Sequence, residues 1–174
     1  MNVDKKDSRI RIGLEFRLYN EGVAFRYNFQ GNSYLSIKDE YTEFSFPQGT
    51  KAYYSGTAES VFTLLPLRGW NGESERPLLL TLSDGTYACL MEAEVVDYVR
   101  TKFKLSSVKE NTIATSMYGQ VDEISPYHTP WRVIMCGETA GDILENNYLM
   151  LNLNPESKLK DTSWIKPGKV IRVV

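Results

Sequence analysis

Pro77-Leu78-Leu79-Leu80-Thr81-Leu82, then Ser83-Asp84-Gly85, then Thr86-Tyr87-Ala88-Cys89-Leu90-Met91-Glu92-Ala93: this stretch decides the fold. Two apolar runs of strand length flank a turn whose Asp and Gly suit a tight reversal, so the segment reads as a hairpin. Near-continuous apolarity, rather than alternation, places both strands at the centre of a sheet covered on both faces.

Upstream, the text alternates. Ile10, Ile12, Leu14, Phe16 and Leu18 fall on one face, and Val23, Phe25, Tyr27 and Phe29 repeat the pattern after Asn20-Glu21-Gly22, predicting a hairpin over Arg9 to Phe29. A second strand pair is expected at Tyr34 to Ile37 and Glu43 to Phe46, ended by Pro47-Gln48-Gly49. Leu64 to Asn71 reads as an irregular connection anchored by Trp70.

Downstream, Lys102 to Val108 and Thr112 to Tyr118 form a hairpin around Lys109-Glu110-Asn111, and Thr129 to Cys136 is a short apolar strand. Only Ala140 to Asn147 has a helical character, after which Tyr148 to Leu153 returns to strand. Many short strands with few, short helices predict an all-β fold, an antiparallel β-sandwich. The 174 residues, 42% hydrophobic and 12% aromatic, fit one domain with its own core, spanning 1–174.

The formal charge of −2 leaves no basic excess for phosphate contacts, so no nucleic acid is expected as a partner. No apolar run is long enough to cross a bilayer, so no membrane is expected either, and Met1 to Ile12 is too polar for a signal peptide. Cys89 and Cys136 lack any CxxC spacing and read as two small apolar core residues. One histidine, His128, cannot supply both a metal cluster and a Ser-His relay, and it reads as a loop residue without a catalytic role.

Carboxylates are the remaining source of chemistry. Glu92 and Glu94, two apart on a strand, are expected on one face, opposite Ala93, with Asp97 close behind. Spacing alone leaves two readings: solvated or salt-bridged edge residues, and partial ligation of a calcium ion. Trp70, Trp131 and Trp164 can serve as core residues or as stacking platforms for sugar rings.

Met91-Glu92-Ala93 with Asp97-Tyr98 resembles family 97 of the glycoside hydrolases, the α-glucosidases and α-galactosidases common in gut Bacteroides. So do Thr129-Pro130-Trp131-Arg132-Val133-Ile134-Met135, Leu151-Asn152-Leu153-Asn154-Pro155 and Asp161-Thr162-Ser163-Trp164-Ile165-Lys166-Pro167-Gly168-Lys169. The ending Val170-Ile171-Arg172-Val173-Val174 is similar to the galactosidase-like branch.

The resemblance implies a galactose-mutarotase-like supersandwich, an N-terminal domain that packs on a catalytic (β/α)8 barrel absent here and expected to begin after about residue 170. It implies an oligosaccharide substrate handled by the full-length enzyme and a periplasmic or secreted location. It places the acid and base carboxylates on the barrel, so no catalytic residue is expected in this chain, which alone should be inactive. It further implies an active-site calcium in the full-length enzyme, with Glu92 as the one ligand from this domain and Trp164 at the junction with the barrel. Ala93-Glu94 departs from the two small residues that commonly follow the family glutamate. Two other readings compete: a stand-alone carbohydrate-binding β-sandwich module, and a structural or adhesion sandwich.

Overall fold

The computed structural model describes residues 2–4 and 11–168. Arg9 and Ile10 of the first predicted hairpin, and the ending Val170 to Val174, lie outside the described residues.

Among the described residues, fifteen strands and two short helices build three layers. The large sheet has nine strands: β1 (Asn2–Asp4), β2 (Arg11–Tyr19), β3 (Gly22–Gln30), β6 (Lys51–Tyr54), β7 (Thr63–Pro66), β9 (Leu78–Thr81), β10 (Tyr87–Ala93), β14 (Tyr127–His128) and β15 (Trp131–Gly137). Its order is β1-β2-β3-β15-β10-β9-β6-β7, with β14 also paired to β3. A four-stranded sheet, β5-β12-β11-β8, joins β5 (Glu43–Ser45), β8 (Glu73–Ser74), β11 (Thr101–Leu105) and β12 (Thr112–Met117). A two-stranded ribbon pairs β4 (Tyr34–Ile37) with β13 (Val121–Ile124). All strand pairs are antiparallel.

The expected central hairpin, β9–β10, lies in the middle of the large sheet, and alternation divides its side chains between two cores. Leu78, Leu80, Ala88 and Leu90 point toward the four-stranded sheet and pack with Phe44, Phe103 and Ile113. Cys89 and Ala93 point the other way and join Ala24, Trp131, Val133 and Met135 beneath helix α2 (Tyr148–Leu153). Both faces are therefore covered, which is why this stretch has no polar side. The preceding helix α1 (Ala140–Glu145) begins with a reciprocal capping box between Thr139 and Asp142.

The first hairpin pairs Tyr19 with Gly22 across Asn20-Glu21. Gly22 is there because β15 crosses its Cα closely: a Cβ would fall 2.1 Å from the Ile134 carbonyl oxygen.

Four expectations are corrected. β4 and β5 do not pair with each other; β4 pairs with β13 and β5 with β12, because each finds its partner far along the chain. Leu64 to Pro66 belongs to edge strand β7 rather than to an irregular loop. Tyr148 to Leu153 is helix, not strand: Leu149 and Leu153, four apart, are buried, while Leu151 is exposed. The Leu-x-Leu-x-Leu spelling satisfies both periods, and the apolar face of β15 selects the helical one. Cys136 is exposed and only Cys89 is in the core; on paired strands they face opposite sides, since Cys136 lies opposite Ala88 and Cys89 opposite Met135.

Candidate functional site

The motif residues Glu92, Glu94, Trp131 and Arg132 meet where β10 ends beside the start of β15. Register sets Glu92 opposite Arg132 and Ala93 opposite Trp131. Because β15 also alternates, Arg132 enters the space between the two sheets while Trp131 enters the helix-covered side.

Arg132 is the hub of the inner cluster. Its Nε donates to Glu40 Oε1 at 2.8 Å, its Nη2 to Glu40 Oε2, and its Nη1 to Glu92 Oε1. Glu92 also accepts from Thr101 Oγ1 at 2.6 Å and from Arg76 Nη1, which in turn reaches the Thr101 carbonyl at 2.6 Å. Tyr98 donates to Glu40 Oε2 at 3.0 Å, and Thr42 to Glu40 Oε1. Two carboxylates and two guanidiniums thus balance in charge, with side chains of Arg132 and Glu92 each only 1% exposed.

Burial works against the ionised form of Glu40, but the Arg132 hydrogen bonds and charge outweigh it and hold the carboxyl below its ordinary range. Burial likewise opposes the charge on Arg132, and Glu40 more than compensates. Arg76 is held less firmly: burial and the neighbouring Arg100 and Arg132 guanidiniums pull its pKa down.

Glu94 does not share a face with Glu92. Its φ of +53° ends the strand period, and its carboxylate turns to the helix-covered side. There Oε2 accepts from Arg26 Nη1 at 2.9 Å and from Trp131 Nε1 at 3.1 Å. Its N–H donates to Asn154 Oδ1 at 3.0 Å. Arg26 also pairs with Glu15 and lies 3.1 Å from His128 Nδ1, and the Arg26 and Arg17 guanidiniums stack on the Trp131 ring at 4.3 and 4.6 Å. His128 is therefore a strand residue in an ion network rather than a loop residue.

Trp131 and Trp70 are core residues; Trp70 packs against Tyr54 at 5.3 Å. Trp164 is 68% exposed, and Ile165, Leu159, Leu151, Tyr148 and Leu144 are exposed too, so apolar surface gathers along α1, α2 and the segment beyond.

Calcium takes about six to eight oxygens. Here one carboxylate is offered, both of its oxygens are engaged, and two guanidiniums stand beside it. Among the described residues no group of three or more His, Cys, Asp or Glu is placed to hold a metal. This arrangement does not fit calcium by itself. The sequence reading missed Glu40, Arg76 and Thr101, and it quoted Arg132 only as part of a motif. The signal for Arg132 was present: an arginine inside an apolar strand needs a buried counter-charge. Glu40, in a polar segment, gave none.

An all-β domain with a helix-covered sheet and a charge-balanced, buried ion cluster at one end is a β-sandwich of antiparallel sheets. The family model for the glycosyl-hydrolase 97 N-terminal domain matches residues 1–155, and the chain belongs to that family as part of its N-terminal domain. It is 25% identical to a retaining alpha-galactosidase of Bacteroides thetaiotaomicron, over 95% of this chain and 30% of that protein. A probable retaining alpha-galactosidase of Streptomyces bingchenggensis is also 25% identical, over 95% of this chain and 26% of that protein. A family 97 enzyme from Pseudoalteromonas, solved in complexes with acarbose and with panose, superposes with a TM-score of 0.81 at 28% identity over 91% of this chain and 26% of its own. The chain thus spans under a third of the length of these relatives.

Proposed function

We propose that this domain serves an α-glycoside hydrolase, an α-galactosidase or α-glucosidase, by packing on the catalytic barrel and bracing the rim of its active site. The observation that carries the reading is the likeness over 95% of the chain to retaining alpha-galactosidases more than three times its span. The exposed apolar surface at Tyr148, Leu151, Trp164 and Ile165 supports a partner on that side. A periplasmic or secreted location and an oligosaccharide substrate belong to the same proposal.

Calcium belongs to it as well. In the full-length enzyme, barrel carboxylates would complete the shell and Glu92 would supply one oxygen. Arg76 is the cation to be displaced, since its side chain is 23% exposed while Arg132 is locked to Glu40. No step of the hydrolysis runs through residues of this chain.

The coding region that follows Val174, together with assays of its product on nitrophenyl α-galactoside and α-glucoside, tests the proposal. Several hundred residues of alternating strands and helices, with α-glycosidase activity absent from the 174-residue chain alone, are expected. A stop codon after Val174, together with oligosaccharide binding by the chain itself, would instead establish the stand-alone carbohydrate-binding module.

A further inference from the structure

The chain contains one Asn-Gly pair, Asn71-Gly72, in the turn between the buried Trp70 and strand β8. Both residues are exposed, and a Cβ built on Gly72, whose φ is +81°, would meet nothing within 4 Å. Glycine takes this left-handed backbone without strain and leaves open space beside the Asn71–Gly72 peptide. Among the described residues the pair makes one hydrogen bond, at the Asn71 main-chain carbonyl, which accepts from the Tyr54 hydroxyl at 3.4 Å. The Asn71 side-chain amide and the Gly72 N–H are uncommitted.

Tyr54 is itself positioned. Its ring stacks on Trp70 with centroids 5.3 Å apart, and Trp70 is anchored in the core with Leu67 and Phe103. The hydroxyl therefore reaches the carbonyl of the peptide whose nitrogen belongs to Gly72. When that nitrogen gives up its proton, negative charge gathers on the Asn71 carbonyl oxygen, where a donor stabilises it. Asp84-Gly85 is arranged the opposite way. Asp84 Oδ1 accepts from the Thr86 N–H at 3.0 Å and from Thr86 Oγ1 at 2.7 Å, and the Gly85 N–H donates to the Leu82 carbonyl at 3.1 Å. There the carboxylate and the neighbouring N–H are both tied down.

We propose that Asn71-Gly72 is a self-modification site, where the chain converts its own amide to a carboxylate with Tyr54 assisting. The Gly72 nitrogen loses its proton to hydroxide and attacks the Asn71 side-chain carbonyl carbon. The new N–C bond closes a succinimide ring, and the side-chain nitrogen leaves as ammonia, taking a proton from water. Water then opens the ring at either carbonyl, giving aspartate or isoaspartate. The sum is one amide and one water to one acid and one ammonia, with nothing oxidised or reduced. Each event adds a negative charge beside Glu73. Isoaspartate also adds a carbon to the main chain between Trp70 and β8, whose Glu73 and Ser74 pair with Lys104 and Phe103.

Peptide mapping by mass spectrometry tests it, on the folded 174-residue chain incubated at neutral pH and body temperature for increasing times. A synthetic peptide spanning Arg68 to Glu75 is the unstructured reference. Asn71 should lose its amide before any other asparagine, at a rate no slower than in the peptide, with both aspartate and isoaspartate formed. Tyr54→Phe keeps the ring that stacks on Trp70 and should slow the native rate about three- to tenfold, the worth of one hydrogen bond. Circular dichroism checks the fold of this variant, and if it does not fold, the comparison of native chain with peptide decides alone. An intact Asn71 amide in the folded chain after the peptide has converted, earlier conversion at another asparagine, or a folded Tyr54→Phe chain that reacts at the native rate would each overturn the proposal.

Discussion

Glu92 and Glu94, two positions apart, send their carboxylates to opposite faces of the large sheet: Glu92 to Arg132 and Arg76 inside the sandwich, Glu94 to Arg26 and Trp131 beneath α2. The left-handed conformation of Glu94 makes this possible. The end of β10 is thus clamped from both sides by ion pairs that share no residue.

The first expected outcome concerns the hub. Arg132→Met leaves Glu40 and Glu92 buried without their principal counter-charge, a loss of about 3–5 kcal/mol in urea unfolding by analogy with broken buried pairs. A loss of under about 1 kcal/mol would show that water or Arg76 replaces the missing charge.

The second concerns acid. The Arg132 guanidinium holds the folded-state pKa of Glu40 below the ordinary glutamate value, so the unfolded chain takes up the proton first as pH falls. Its stabilising contribution is whole above that value and is lost as pH drops through the folded-state pKa. Thermal melts of the native chain should fall across this acid window, and those of Glu40→Gln should start lower and fall less. Parallel curves would assign acid sensitivity elsewhere.

A third outcome separates the two glutamates. The chain alone should show no calcium binding in the micromolar range by titration calorimetry, because one engaged carboxylate cannot supply the shell. In a full-length enzyme, Glu92→Gln should reduce calcium-dependent hydrolysis, whereas Glu94→Gln should matter less for calcium. An unchanged Glu92→Gln enzyme would leave the residue a purely structural ion-pair partner.

The fourth discriminates helix from strand at 148–153. Leu149→Ala should cost about 2–5 kcal/mol as a buried large-to-small change, and Leu151→Ala should cost little. Equal losses would restore the alternating reading.

These cases show what was legible. Strands whose partners are near in sequence, such as β2–β3, β9–β10 and β11–β12, could be read from alternation and turn chemistry, because the local signal and the final pairing coincide. β4 and β5 could be seen as strands but not matched, since their partners lie far downstream. Leu149, Leu151 and Leu153 spell two periods at once, and only the surface waiting on β15 chooses. At the site, Glu92 was visible through its motif, while its setting was hidden: Arg76, Thr101 and Glu40 come from three other segments, and no local pattern announces their convergence.

The cysteines carry a last consequence. Cys89 and Cys136 sit on neighbouring strands but face away from each other, so the folded domain cannot join them without turning one strand over. An internal crosslink between these two thiols can form only in a chain that has lost its register. Detecting it after oxidation would count misfolded molecules.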